Sequence, residues 1–227
     1  MTNNIKAEKI QRLLVWRGWL RLAHWLMAGG TLALILTGWL IESAPSLASN
    51  AARDHYLAAY ALVAGLSLRL WLLFRGVEVE RASTLLPDMT RIHVMKDMLR
   101  FYVSFGRMPL PKWYAHNPLW GPVYLLLLLA LLLVVATGFA APKWPIVYGF
   151  YLPSMHVWWA TAITIFTVAH IIAVVLHDMK GTGSDVSAMI NGHRIFVIKR
   201  IDPDEIVRTH RISLDNIVRM PERRNDE

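Results

Sequence analysis

Residues 155–178 read MHVWWATAITIFTVAHIIAVVLHD. The run is apolar over a length that crosses a bilayer as a helix rising ~1.5 Å per residue, yet it holds His156, His170 and His177. Ionisable side chains are costly in hydrocarbon and mark functional positions. Fourteen residues separate His156 from His170. On a helix that spacing advances the chain ~21 Å and returns it to within ~40° of the same face. One helix therefore carries two imidazoles at two depths, and the other groups that reach those depths decide the reading.

Three more apolar blocks of similar length give the set of roughly 22–41, 55–74, 119–141 and 156–177. The chain of 227 residues is 55% hydrophobic and only 18% charged, too little charge for a surface that meets only water. The fold class is an all-α integral membrane protein, a bundle of four transmembrane helices in contact with lipid. The first block is read as a retained helix, because a signal peptide's apolar core is ~7–15 residues. This block is longer and carries His24 and two tryptophans, Trp25 and Trp39.

The formal charge of +8 invites a nucleic-acid partner, but its placement points elsewhere. Lys6, Lys9, Arg12, Arg17 and Arg21 precede the first helix. Seven more, from Arg75 to Lys112, lie between the second and third, and another group from Lys180 onward follows the fourth. The two remaining loops hold just Arg53 and Lys143. Positive residues collect on the cytoplasmic side, which places both termini and the central loop there. The organisation is then a cytoplasmic segment 1–21, a membrane domain 22–178 and a cytoplasmic tail 179–227. No nucleic-acid partner is expected.

Cysteine is absent, which excludes disulfides, thiolate metal sites, iron–sulfur clusters and thioether-attached haem. Walker, dinucleotide-binding, G-x-S-x-G and H-E-x-x-H motifs are missing too. Residues 91–106 alternate apolar and basic positions at helical spacing, as an amphipathic helix in the interface does. The loop 143–155 is rich in aromatics suited to a membrane–water boundary. In the tail, residues 194–202 suit a strand and 203–208 a short helical turn. No strict repeat is present, although LTG (36–38) and ATG (136–138) end the first and third helices alike.

Topology sorts the histidines. His24 enters the first helix from the cytoplasm and His55 opens the second at the outer surface, so His55 matches His156 in depth and His24 matches His170. Two imidazoles from separate helices can grip a haem iron axially, each giving one ring nitrogen to the metal and donating the other N–H to a nearby acceptor. Two such sites lie ~20 Å apart by the helical rise. Gly38 and Gly138 stand at the outer level, where a macrocycle needs close backbone approach, and Gly29 and Gly30 lie just beyond His24. Arg69, fourteen residues after His55, falls at the inner level, where it either meets an anion such as a haem propionate or snorkels to the headgroups. His177 sits at the cytoplasmic boundary; it is read as an interfacial residue, with a quinone or proton role as the alternative. His93, His116, His193 and His210 are read as solvated.

The pattern resembles the membrane di-haem cytochrome b subunits of nickel–iron hydrogenases and formate dehydrogenases. RLAHW (21–25) is similar to their Arg-Leu-Phe-His-Trp, with Ala23 in place of the usual aromatic. HNPLW (116–120) and ATGF (136–139) resemble the entry and exit of their third helix, and SAMINGHRIF (187–196) their C-terminal part. The resemblance implies a bacterial inner-membrane, multi-pass protein that is an electron-transfer subunit rather than a catalytic one. It implies two haem b groups, an outer one on His55 and His156 and an inner one on His24 and His170. It also implies electron exchange between a periplasmic catalytic or electron-carrier subunit and quinone, with quinone reacting near His170, His24 and the cytoplasmic ends of the first and fourth helices. Competing readings are a stand-alone di-haem quinone oxidoreductase and a small transporter using histidine as a metal or proton relay. The absence of acidic residues within the four helices speaks against the transporter.

Overall fold

The computed structural model describes residues 9–86, 92–181 and 184–198. Four helices have the length and composition to cross a membrane: α1 (Gly18–Ser43), α2 (Ala48–Arg75), α4 (Trp120–Ala140) and α5 (Leu152–Lys180). Between and after them lie α3 (Ile92–Val103) and α6 (Asp185–Asn191). All four expected spans are present, and each of α1, α2 and α5 is longer than its apolar block. The polar residues that flank an apolar run can continue its hydrogen-bonded ladder, so hydropathy underestimates length. The largest difference is at α2, where His55 lies seven residues inside the helix instead of opening it.

Large apolar side chains face outward along these helices. Phe74 is 77% exposed, Ile165 66% and Trp158 78%, an arrangement stable only where the surrounding solvent is lipid. The interior is a band of Leu62, Leu66 and Leu73 from α2, Leu128, Leu131 and Val134 from α4, and Ile163 from α5. Lipid supplies no hydrophobic drive between helices, so close packing must do that work. α1 and α2 meet at two glycines. A Cβ on Gly30 would come within 3.0 Å of the Leu62 backbone nitrogen, and one on Gly65 within 2.8 Å of Leu26 Cβ and 2.9 Å of the Met27 nitrogen. Gly30 thus serves helix crossing, whereas Gly29 faces open space.

Between α4 and α5, β2 (Ile146–Val147) pairs antiparallel with β3 (Phe150–Tyr151). Tyr148 and Gly149 both have positive φ, as a two-residue turn of the mirror-image type requires. This loop was expected only to be aromatic; it is a hairpin with Tyr148 at its exposed tip.

One compact unit comprises Leu13–Arg194, and the remaining described residues, at the two chain ends, belong to a second. β1 (Lys9–Leu14) and β4 (His193–Ile198) form a two-stranded sheet. The strand expected at 194–202 is present over its described part, while the turn expected at 203–208 lies outside the described residues. β1 was unforeseen, because a lone strand reveals itself only through a partner that lies far off in sequence.

α3 forms where the periodicity placed it, but it does not simply lie on the membrane. Met98 and Phe101 are completely buried, while Leu99 and Val103 are exposed. The neighbouring Tyr102 joins a buried polar chain. Trp120 Nε1–H donates to the Tyr102 hydroxyl oxygen at 2.6 Å, and the Tyr102 O–H donates to His177 Nε2 at 2.6 Å. Burial pushes the Tyr102 phenol up to about 12, so it remains a donor. His177 Nδ1 faces the Asp185 carboxylate at 3.6 Å, and Arg194 Nη2 pairs with that carboxylate at 2.8 Å. Arg194 also donates to the Tyr114 carbonyl, and Asp178 accepts from the backbone N–H groups of Asp185 and Val186 at the start of α6. These bonds tie α3, α5 and α6 together.

Burial alone would raise the Asp185 carboxyl, but the His177 imidazole and the Arg194 guanidinium outweigh it and hold it below its ordinary value. A lowered carboxyl contributes stability that is complete above its unfolded value near ~3.9 and is lost as pH falls through the folded one. Thermal unfolding followed from neutral pH to about pH 3 should show a drop at the acid end that Asp185→Asn diminishes. A second expectation concerns the crossing of α1 and α2. Gly65→Val should destabilise by roughly 1–3 kcal/mol through overpacking, seen as a lower melting temperature in detergent, while Gly29→Ala leaves it unchanged. Equal effects of the two substitutions would contradict the close-crossing account.

Candidate functional site

The histidines meet in pairs, two by two, on separate helices. His55 of α2 and His156 of α5 have ring centroids 6.3 Å apart, tilted by 68°. His24 of α1 and His170 of α5 have centroids 6.5 Å apart, tilted by 57°. In neither pair do the rings stack. A first-row metal bound by two opposed imidazole nitrogens at ~2 Å each leaves ring centroids roughly 6 Å apart, so both gaps have the width of a bis-imidazole site. Among the described residues no three His, Asp or Glu side chains converge as a metal cluster.

The supporting contacts differ at the two levels. His55 Nδ1 lies 2.8 Å from Thr37 Oγ1, and His156 Nδ1 lies 2.9 Å from the Val134 carbonyl. Both imidazoles therefore engage their Nδ1 with α1 or α4, and the other nitrogen of each ring is not taken by these bonds. At the second level His170 stacks on Phe166 at 5.7 Å and 10°, with Trp120 and Tyr124 edge-on at 6.3 and 6.1 Å. His24 Nδ1 is buried and has no hydrogen-bond partner among the described residues. Such an orphan is expensive unless a bound group takes it.

The motifs around these rings resolve into separate tasks. In RLAHW, Arg21 donates to the Ile190 carbonyl and Trp25 Nε1–H to the Met189 carbonyl at 2.8 Å, both at the end of α6. Ala23 is completely buried where α1 crosses Gly65, a place with no room for a ring. His24 alone of the motif faces His170. In HNPLW, Asn117 Oδ1 accepts from the Leu119 N–H, and Trp120 bonds Tyr102. His116, expected to be solvated, packs edge-on against Trp16 and Tyr124 at 5.0 and 6.4 Å; His93 is exposed and His193 half-buried. His210 lies outside the described residues. At Gly192 the backbone is left-handed (φ 86°), and a Cβ would meet the Trp16 carbonyl at 2.6 Å.

Two of the glycines expected near the His55 pair differ in role. A Cβ on Gly138 would lie 2.8 Å from His156 Cε1, while one on Gly38 would sit at an ordinary 3.7 Å from His55 Cε1. Arg69 is buried and donates from Nη1 to the Glu80 carbonyl at 2.8 Å. It neither snorkels nor lacks an acceptor, because the chain after α2 folds back in two 3₁₀ turns, Glu78–Glu80 and Ala82–Thr84. His177 has both ring nitrogens facing partners, Tyr102 and Asp185. Sequence reading missed Thr37, the Val134 carbonyl and the aromatic box around His170. The likeness of LTG to ATG was the one signal pointing to the first two.

The profile of prokaryotic cytochrome b561 matches residues 15–192. Among curated proteins, a probable Ni/Fe-hydrogenase B-type cytochrome subunit of Cupriavidus necator is 26% identical, over 84% of this chain and 90% of its own length. Proteins of the same description from Rhizobium leguminosarum bv. viciae and Rhodobacter capsulatus are 28% and 27% identical, over 84% and 86% of this chain and 92% and 87% of theirs. No solved structure matches the chain. The match covers all four apolar helices and both imidazole pairs, and the chain, a multi-pass membrane b-type cytochrome of electron transfer, belongs to the prokaryotic cytochrome b561 family.

Proposed function

We propose that this cytochrome holds two haem b groups and connects a catalytic partner on the outer face with quinone at the cytoplasmic side of the inner membrane. The observation that carries the reading is the pair of imidazole gaps, 6.3 and 6.5 Å wide between centroids. The two lie fourteen residues apart on α5, hence ~21 Å along it. When bound, haem b supplies a reversible one-electron couple at each level. His55 and His156 would ligate the outer group, and His24 and His170 the inner one.

The chain's own residues make these positions habitable. Their Nδ1 contacts fix the tautomer of the outer imidazoles and aim them between the helices. The missing Cβ of Gly138 leaves room for the His156 ring. Phe166, Trp120 and Tyr124 wall the inner imidazole, fixing its plane and excluding water. Arg69 keeps a cation at the far end of α2, where it would balance an acidic group of the inner cofactor. A quinone would approach near His170 and His24, at the cytoplasmic ends of α1 and α5. Positive residues on both chain ends and the central loop support a cytoplasmic placement for that end. The likeness to hydrogenase B-type cytochrome subunits supports a nickel–iron hydrogenase as the catalytic partner, bound on the opposite face.

His177 takes a structural part in this reading, since Tyr102 and Asp185 occupy its two nitrogens. Reduced-minus-oxidised spectra of the purified protein, with haem quantified per chain, should show two b-type groups. His170→Ala and His156→Ala should each lower the count to one, and His177→Ala should leave two. A chain without haem would overturn the proposal, and loss of a haem in His177→Ala but not His170→Ala would overturn the ligand assignment.

A further inference from the structure

The two outer imidazoles are seated by similar sequence on similar hairpins. α1 carries Thr37-Gly38 and is followed by His55 on α2; α4 carries Thr137-Gly138 and is followed by His156 on α5. The acceptors nevertheless differ. Thr37 Oγ1 is 2.7 Å from the Ala33 carbonyl, and a carbonyl can only accept, so the hydroxyl proton lies there. The same oxygen, 2.8 Å from His55 Nδ1, must then accept, and the imidazole proton sits on Nδ1. On the other side the Thr137 hydroxyl donates to the Leu133 carbonyl at 2.7 Å and stands 3.4 Å from His156 Nδ1. Here the closer acceptor is the Val134 carbonyl itself, at 2.9 Å. The ring reaches that carbonyl because position 138 has no Cβ, which would lie 3.1 Å from Nδ1 and 2.8 Å from Cε1.

We propose that Thr37 and Gly138 are the positioning residues of the His55–His156 site: Thr37 by supplying a hydroxyl acceptor to His55, Gly138 by baring a peptide carbonyl to His156. Thr137 and Gly38, their counterparts by sequence, are dispensable to the site. Each seat puts the proton on Nδ1 and leaves the Nε2 lone pair for a ligand. The proposal rests on the haem reading above. An acceptor on the distal N–H makes an imidazole more basic and a stronger donor to the metal, and its removal typically lowers metal affinity 10–100-fold.

The test uses the full-length protein in detergent, with haem content, redox titration and low-temperature EPR of the oxidised form. Thr37→Val keeps the shape and deletes the acceptor. It should raise the midpoint potential of one haem, shift its EPR signal and weaken its retention on the order of ten-fold or more, with the other haem unchanged. Thr37→Ser should restore all three. Thr37→Ala, which lacks the hydroxyl and adds no bulk, reads the same point should the valine variant fail to accumulate. Gly138→Ala should lose or displace the same haem, while Gly38→Ala and Thr137→Val keep both haems at wild-type potentials. Wild-type potentials in both Thr37→Val and Thr37→Ala would overturn the proposal. So would Thr137→Val or Gly38→Ala changing the site as much as their counterparts. A wild-type chain without haem would instead overturn the reading on which the proposal stands.

Discussion

An imidazole in hydrocarbon has two nitrogens to satisfy, and lipid satisfies neither. The seating of the histidines follows from that constraint. His55 and His156 each give one nitrogen to a neighbouring helix, and their rings stand 6.3 Å apart between centroids. His177, further along α5, uses a phenol for one nitrogen and faces a carboxylate with the other. The chain thus has two kinds of membrane-edge histidine. One is closed by protein on both sides, and the other is closed on one side and open on the other.

Helix association obeys a different rule. The spans are apolar all round, so no amphipathic stripe directs them together, and outward-facing leucines are no guide to a partner. Shape takes that role. Gly30 and Gly65 let α1 and α2 approach until backbone meets backbone, and small Ala23 continues the seam. Side-chain bulk is then reserved for the α2–α4–α5 interior and for the aromatic walls around His170. The same residue type has a third use at position 138, where the missing Cβ makes room for a ring instead of a helix.

Most of this architecture is legible in sequence, for a physical reason. A membrane helix has one rise and one twist, so residue number converts directly into depth and face. That arithmetic on α5, with the alternation of helix direction, is enough to bring His55 level with His156 and His24 level with His170. It fails where a partner is set by loops. Tyr102 meets His177 across 75 residues, and Arg69 finds the Glu80 carbonyl only because of two short turns. β1 has no local signature that separates it from a basic leader. Apolar runs also conceal helix ends, so the seven residues of α2 ahead of His55 are invisible to hydropathy. The pairing of LTG with ATG shows the opposite danger. Matching letters on matching helices carry unlike geometry, and only coordinates tell the hydroxyl seat from the carbonyl seat.

The docking of RLAHW onto the end of α6 has a consequence in time. Arg21 and Trp25 belong to the first helix synthesised, yet their acceptors, Ile190 and Met189, come 169 and 164 residues later. Chains grow at about 5–20 residues per second, so α1 waits roughly ten to thirty seconds in the bilayer before its cytoplasmic end can be closed. During that interval Arg21 and Trp25 lack the carbonyls they bond in the finished fold. The order of synthesis therefore closes the end of α1 late, and α6 completes what α1 began.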